Sequence, residues 1–210
     1  MCHELLRDAR FFRTLQRFDE DLASQTRAAG CACGGVLHSA RYPRKPRGGP
    51  DDLGPAYRRR LSFCCARDGC RRRMTPPSLR FLGRRVYLGA VVVLVAAMRG
   101  GVTAQRAGRL EETVGVSVRT LERWRRWWRE TFVRSALWKG LQGRFVPPPD
   151  VGAFPASLLA RFAGRDARER LLRMLWFLAP LTTRSPFEAR ILTGGPDPQR
   201  MRFAPTPSLP

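Results

Sequence analysis

Apolar residues recur at three- and four-residue steps through the first part of the chain. At this spacing Leu5, Phe12 and Leu22 fall on one face of a helix. Gly30 follows, and glycine commonly marks the end of a helix. The pattern therefore predicts one N-terminal helix over residues 3–28, which packs against the rest of the chain or against a second copy.

A second apolar stretch lies near the middle of the chain. Residues 86–98 contain no charged side chain, but these 13 residues are too few to span a bilayer, which takes about 20. We therefore expect a buried helix here and no transmembrane segment. The N-terminus carries acidic residues and lacks an apolar run, so no signal peptide is expected either.

Two helical patterns separated by a glycine follow the buried helix. Thr103 is suited to cap the first pattern, whose inward positions include Ala107, Leu110 and Val114. Gly115 provides a turn where a positive φ is easily adopted, and Val116 packs in the angle between the helices. Ser117 then caps a second helix, whose inward positions are Leu121, Trp124 and Trp128.

The outer face of this second helix is rich in arginine. A short helix, a turn and a second helix with such a face is the arrangement that places a recognition helix in the major groove of DNA. Arg119 and Arg123 are candidates for guanine edges, since a guanidinium matches O6 and N7. Glu122 accepts from a cytosine amine or pairs with Arg126. The predicted contacts, phosphate ligands included, are Ser117, Val118, Arg119, Thr120, Glu122, Arg123, Arg125, Arg126 and Arg129.

Residues 31–83 have a different character, with frequent glycine and proline and weak periodicity. Two cysteine-containing turns, Cys31-Ala-Cys33 and the later group Cys64, Cys65 and Cys70, are joined by about thirty residues. Two pairs of thiols arranged in this way are typical of a zinc ribbon, because Zn²⁺ takes four ligands in a tetrahedron. Buried free cysteines and a redox pair are the alternatives.

The third ligand is either Cys64 or Cys65. Strand alternation places Leu61, Phe63 and Cys65 on one face, which favours Cys65. His38 is a substitute ligand. Three cations beside the site, which favour thiolates and are further candidates for DNA contact, are Arg71, Arg72 and Arg73.

The charge of the chain points to a polyanionic partner. Lysine and arginine number 39 against 17 acidic residues, which gives a net charge of +22. A protein this basic commonly meets nucleic acid. We therefore expect a cytoplasmic, nucleoid-associated protein whose partner is double-stranded DNA.

The remaining chain contains one more amphipathic stretch, over residues 155–179, and a proline-rich end. The predicted fold is mainly α with a small β zinc ribbon. Its segments are an N-terminal helix (1–30), a zinc-ribbon-like module (31–83), a three-helix DNA-binding domain with a helix-turn-helix (84–135), a C-terminal helical region (136–193) and a disordered tail (194–210).

The order of these motifs resembles a known family. CxCGG, a basic loop, FCCxxxGCRRRxTPPS and GVSxRTLxRWxxWW occur in that order, and this order is similar to the zinc-ribbon and helix-turn-helix front end of insertion-sequence transposases in bacteria. The resemblance covers about residues 30–132. It implies zinc ligands at Cys31, Cys33, Cys65 and Cys70, and a DNA-reading helix at 117–130.

In such transposases a later domain cuts DNA with three acidic residues, and no run of strands follows residue 135 here. We therefore expect a non-catalytic DNA-binding protein, either a transposase-derived regulator or a transposition accessory. A second copy of the chain, which would form a homodimer, and a separate transposase or nuclease are further candidate partners. The alternatives are an RNA-binding or ribonucleoprotein assembly module, a transposase fragment that cuts DNA, and an adaptor for other proteins.

Overall fold

The computed structural model describes residues 2–82, 87–98 and 104–183. In this part of the chain the helices are α1 (Cys2–Arg7), α2 (Ala9–Ala29), α3 (Gly54–Tyr57), α4 (Gly89–Ala97), α5 (Ala104–Val114), α6 (Val118–Arg126), α7 (Ala136–Leu141), α8 (Ala156–Leu159) and α9 (Ala167–Leu178). The strands are β1 (Leu37–Ser39), β2 (Tyr42–Pro43), β3 (Arg59–Arg60), β4 (Phe63–Cys65) and β5 (Arg73–Met74). The described chain is thus mainly helical, with a small antiparallel sheet of order β1-β4-β5 and a two-stranded antiparallel pair, β2 and β3. The predicted tail lies outside the described residues.

The N-terminal helix is divided at Asp8, where a single helix was expected. Asp8 has extended backbone angles, and its carboxylate accepts hydrogen bonds from the backbone N–H groups of Arg10 and Phe11 at 3.0 and 3.1 Å. It thereby satisfies donors that are otherwise unpaired at the start of α2. The spacing of apolar residues continues across the break because α1 and α2 each bury an apolar face. Leu6 belongs to this face in α1 and Phe12 in α2.

The predicted buried helix is present as α4. Its residues are apolar on every side, and they are buried from Gly89 to Ala96. Such a helix is stable only when other elements surround it. Here α4 packs against α1, α6 and α9. No helix in the described ranges is long and apolar enough to cross a membrane.

Helices α5 and α6 follow the predicted pattern closely. Gly115 separates them with a φ of +62°, and its N–H donates to the carbonyl of Glu111 at 2.9 Å. Ser117 caps α6 by accepting from the N–H of Thr120 at 3.4 Å. The expected inward positions whose side chains are described are buried: Leu110, Val114, Val116, Leu121, Trp124 and Trp128. The side chain of Ala107 lies outside the described part. Beyond Arg126 the chain continues as a π-helical turn. The predicted cap Thr103 lies outside the described residues.

The C-terminal stretch is two helices where one was predicted. After α8 the chain turns through Gly164, and Asp166 begins α9 by accepting from the N–H of Glu169 at 2.8 Å. Both helices join a continuous core that extends from Leu5 to Ala179. One cluster of aromatic rings within it is built by Phe132, Trp138, Phe145, Phe154, Phe162 and Phe177.

A buried ion pair connects distant parts of the chain inside this fold. The carboxylate of Asp19 in α2 accepts from Arg80 Nε at 2.8 Å, and both side chains are almost completely buried. Asp19 also accepts from the Ser78 hydroxyl and from the Leu79 N–H. Arg80 in turn donates to the carbonyl of Tyr57 at 2.8 Å. The pair therefore joins the N-terminal helix to two segments of the cysteine-containing region.

Candidate metal centre

The first cysteine turn begins where α2 ends. Gly30 closes the helix, and the N–H of Cys31 donates to the carbonyl of Gly35 at 3.2 Å. The N–H of Gly34 donates back to the carbonyl of Cys31 at 2.8 Å. Gly34 has a φ of +80°, which suits glycine. This tight turn places Cys31 and Cys33 side by side.

The second turn follows β4 and is brought to the first by strand pairing. β1 and β4 are antiparallel, with Leu37 opposite Cys65. The N–H of Ala66 extends this pairing by donating to the carbonyl of Val36 at 2.9 Å. The chain then turns through Gly69, with a φ of +81°, and returns as β5. A small core of its own lies beneath, built by Ala23, Cys31, Leu37, Leu61, Phe63, Cys65 and Met74.

Four sulfur atoms converge between these turns. The Sγ atoms of Cys31, Cys33, Cys65 and Cys70 all lie within 4.8 Å of one another. The Cys33–Cys65 pair is 3.5 Å apart and the Cys31–Cys70 pair is 3.8 Å apart. Tetrahedral zinc with bonds of about 2.3 Å requires sulfur atoms separated by about 3.8 Å. The predicted cysteines are therefore close enough to hold a metal ion.

The structure distinguishes Cys65 from Cys64. Cys65 is completely buried within the cluster, whereas the sulfur of Cys64 lies 3.4 Å from the carbonyl of Arg71, outside the group of four. Strand alternation explains the difference, as the sequence predicted. His38 pairs with Cys64 across the sheet, on the face away from the four clustered sulfurs. It is exposed and does not join the cluster.

The thiols differ in acidity. A hydrogen bond from the backbone of Gly35, together with neighbouring thiols, lowers the pKa of Cys33 to about 6. A backbone hydrogen bond from Arg67 also favours the Cys65 thiolate, but burial and its thiol neighbours raise the pKa of Cys65 to about 12. A divalent cation favours the thiolate form of all four, so binding releases protons and weakens as the pH falls.

Cations surround the two turns. Sequence reasoning missed Arg67, whose guanidinium donates to the carbonyl of Cys33 at 2.7 Å and so ties one turn to the other. Arg71 pairs with Asp68 at 2.7 Å. Arg72 and Arg73 are exposed beside the cluster, and Arg73 lies over the ring of Tyr42.

Gly35 leaves no room for a side chain, and this leads to a test. A Cβ atom at Gly35 would lie 2.6 Å from the sulfur of Cys65 and 3.3 Å from that of Cys33. Gly35→Ala is therefore expected to separate the sulfurs and to lower metal affinity at least about tenfold. Replacing residues that surround the ligands of a metal typically has an effect of this size. Competition with a colorimetric chelator measures this. Gly140→Ala, where a Cβ meets nothing within 4 Å, is the control; equal affinities in the two variants would contradict the account.

The arginine-rich face of α6 lies on the surface and is separate from the cysteine cluster. Its side chains Arg119, Glu122, Arg123 and Arg126 are exposed, and so is Arg129 beyond it. Ser117 and Thr120 are half-buried at the start of the helix, and Val118 is 38% exposed. Arg125 differs from the others, because its guanidinium is half-buried and donates to the carbonyl of Met98 at 2.8 Å. That contact fastens α6 to the end of α4.

Comparison with known proteins adds no assignment. No family model, curated protein or solved structure matches the chain. The resemblance to the front end of insertion-sequence transposases therefore stays a prediction.

Proposed function

We propose that this chain is a zinc-stabilised, non-catalytic protein that binds duplex DNA, with α5 and α6 acting as a helix-turn-helix. The observation that supports this most is the surface of α6. Arg119, Arg123 and Arg126 are exposed on one side of the helix, while Leu121 and Trp124 anchor the opposite side in the core. A rigid helix with an outward guanidinium row fits the major groove, which is about 12 Å wide.

The turn before α6 supports the same proposal. Tyr87 donates its hydroxyl to the carbonyl of Gly115 at 2.6 Å, and its ring packs edge-on against Trp124 at 4.9 Å. The start of α6 is thereby held in one orientation. Arginine side chains on a fixed helix lose less freedom on binding than those on a mobile segment, so readout of base edges benefits from this anchoring.

Zinc is the metal that suits the cysteine cluster best. Four thiolates in a compact tetrahedral arrangement form the ligand set of structural zinc sites. The small core around β1, β4 and β5 holds few apolar residues. We therefore assign the metal a role in folding, with Cys31, Cys33, Cys65 and Cys70 as its ligands.

Three acidic residues in the described part of the C-terminal region have structural positions, which supports a non-catalytic role. Asp150 caps a 3-10 turn by accepting from the N–H of Gly152 at 2.8 Å. Asp166 caps α9, and Glu169 pairs with Arg173 at 2.9 Å. A DNA-cutting fragment needs acids that converge on two divalent cations, whereas these three make local contacts. Metal-dependent nicking abolished by Asp150→Asn would contradict the proposal.

The paired change Arg119→Ala with Arg123→Ala tests the assignment of α6. Each guanidinium that contacts guanine is expected to contribute about 1–3 kcal/mol of sequence discrimination. The natural protein is first used to enrich a duplex from a random library. The affinity of the double variant for this enriched duplex should fall toward its affinity for a shuffled duplex, which has the same bases in another order, as measured by fluorescence anisotropy. Arg10→Ala with Arg17→Ala removes the same charge from the exposed side of α2 and serves as the control.

The same variants separate DNA from RNA as the ligand. A double variant that keeps the preference of the natural protein for its duplex would contradict the role of α6. If single-stranded RNA competes more effectively than duplex, and the double variant binds that RNA normally, the RNA-binding alternative replaces the proposal.

A further inference from the structure

A basic depression lies beside the loop between β2 and β3. Its volume is about 760 Å³. Five of its nine lining residues are cationic, and none is acidic. The cations are Arg44, Lys45, Arg47, Arg58 and Arg59. The sequence shows two short basic runs here, but only the pairing of β2 with β3 brings them to one concave surface.

The backbone of this depression is held firmly. The N–H of Arg44 donates to the carbonyl of Arg58 at 2.7 Å, which joins the two sides. Beneath them the buried Arg80 donates to the carbonyls of Tyr57 and Arg59 at 2.8 and 3.3 Å. The cationic side chains therefore extend from a backbone that does not have to rearrange when an anion binds.

The charges of the depression are available to a ligand. Lys45, Arg47, Arg58 and Arg59 are exposed. Across residues 2–82, 87–98 and 104–183, no carboxylate forms an ion pair with any of these four. Asp51 and Glu112 line an adjoining depression, which shares Arg47 and Arg58 with this one. A concave surface on which cations outnumber acids, and on which four of the cations form no ion pair with the described residues, attracts a polyanion, and phosphate is the common one.

The depression adjoins the turn that precedes α6. The N–H of Leu88 donates to the carbonyl of Arg47 at 3.3 Å, and the neighbouring Tyr87 reaches the carbonyl of Gly115. Gly48 packs so tightly that an added Cβ would lie 3.3 Å from the carbonyl oxygen of Val114. The loop after Arg47 therefore contacts the end of α5 directly.

We propose that this depression binds backbone phosphates of the same duplex that α6 reads, to one side of the base pairs that α6 contacts. The inference rests on the proposed function. The contact between the loop and the turn makes one continuous surface, and a duplex seated on α6 extends beyond it in both directions. In this division of roles the depression contributes affinity without sequence preference, while α6 provides the preference.

A triple variant, Lys45→Gln with Arg58→Gln and Arg59→Gln, tests the site. Each phosphate contact contributes about 0.9 to the slope of log affinity against log salt, so three lost contacts should reduce its magnitude by about 2–3. The ratio of affinities for enriched and shuffled duplexes should not change. The control removes three exposed charges from α2, Arg10→Gln with Arg17→Gln and Arg27→Gln, and should leave the slope within about one of the natural value.

The outcomes separate this inference from the proposed function. If the natural protein shows no preference for any duplex, the proposed function fails, and the inference fails with it. If the preference is present but the triple variant keeps the natural slope, only the inference is overturned. A slope reduced equally in the control also overturns it, because the effect then follows net charge. Tighter binding of single-stranded RNA at this depression, lost in the triple variant, makes RNA the occupant and overturns the assignment to duplex.

Discussion

Replacing Cys65 by serine is expected to abolish the proposed zinc binding and to unfold the small core around β1, β4 and β5. Cys65 is completely buried and lies in the sulfur cluster. Structural zinc contributes about 10–16 kcal/mol to the folding of small zinc modules, which exceeds what such a core supplies by itself. Metal content by mass spectrometry should fall from one equivalent to none. Limited proteolysis should then cut within residues 31–40 and 61–75.

The neighbouring Cys64 provides the matched control. Its sulfur faces the carbonyl of Arg71, so Cys64→Ser should keep one equivalent of metal and natural resistance to protease. The two variants differ by one position in the same strand. Helices of the main core should persist in Cys65→Ser, because Tyr57, Phe81 and α4 belong to that core. Equal zinc content in the two variants would contradict the ligand assignment, and so would loss of zinc from Cys64→Ser.

Asp19→Asn is expected to cause a large loss of stability outside the metal centre. The carboxylate is fully buried and pairs with Arg80, which is also buried. Removing one partner leaves the other charge without compensation, at a cost of about 3–5 kcal/mol. For a protein of this size the melting temperature should fall by about 6–20 °C. Denaturant unfolding of the zinc-loaded protein measures the loss.

An exposed aspartate gives the comparison. Asp52 pairs with Arg13 at 3.6 Å, and its side chain is 62% exposed. Exposed ion pairs contribute little, so Asp52→Asn should change the free energy of unfolding by about 0.5 kcal/mol or less. Similar losses in the two variants would show that the Asp19–Arg80 pair does not hold the segments together.

Local patterns predicted the elements that depend on local signals. The all-apolar run predicted α4, and the spacing around Gly115 and Ser117 predicted α5, the turn and the start of α6. Alternation within one short strand was enough to choose Cys65 over Cys64. In each case the physical cause lies within a few residues, as periodicity and capping require.

Other features depend on groups that are distant in the sequence. Asp19 and Arg80 are separated by 61 positions, so no local pattern connects them. The basic depression likewise arises when β2 pairs with β3. The helix breaks at Asp8 and Asp166 had a local signal, because aspartate favours the N-cap position. The spacing of apolar residues continues across both positions, however, and indicated an unbroken helix in each case.

The central claim is that the chain reads duplex DNA through α6, and one enrichment experiment tests it directly. The zinc-loaded protein is incubated with a random duplex library and, in parallel, with a random RNA pool at near-physiological salt, and the retained molecules are sequenced. The account predicts one recurrent duplex motif that disappears when Arg119 and Arg123 are replaced by alanine. Retention of duplex without any motif, or enrichment confined to the RNA pool, would contradict it.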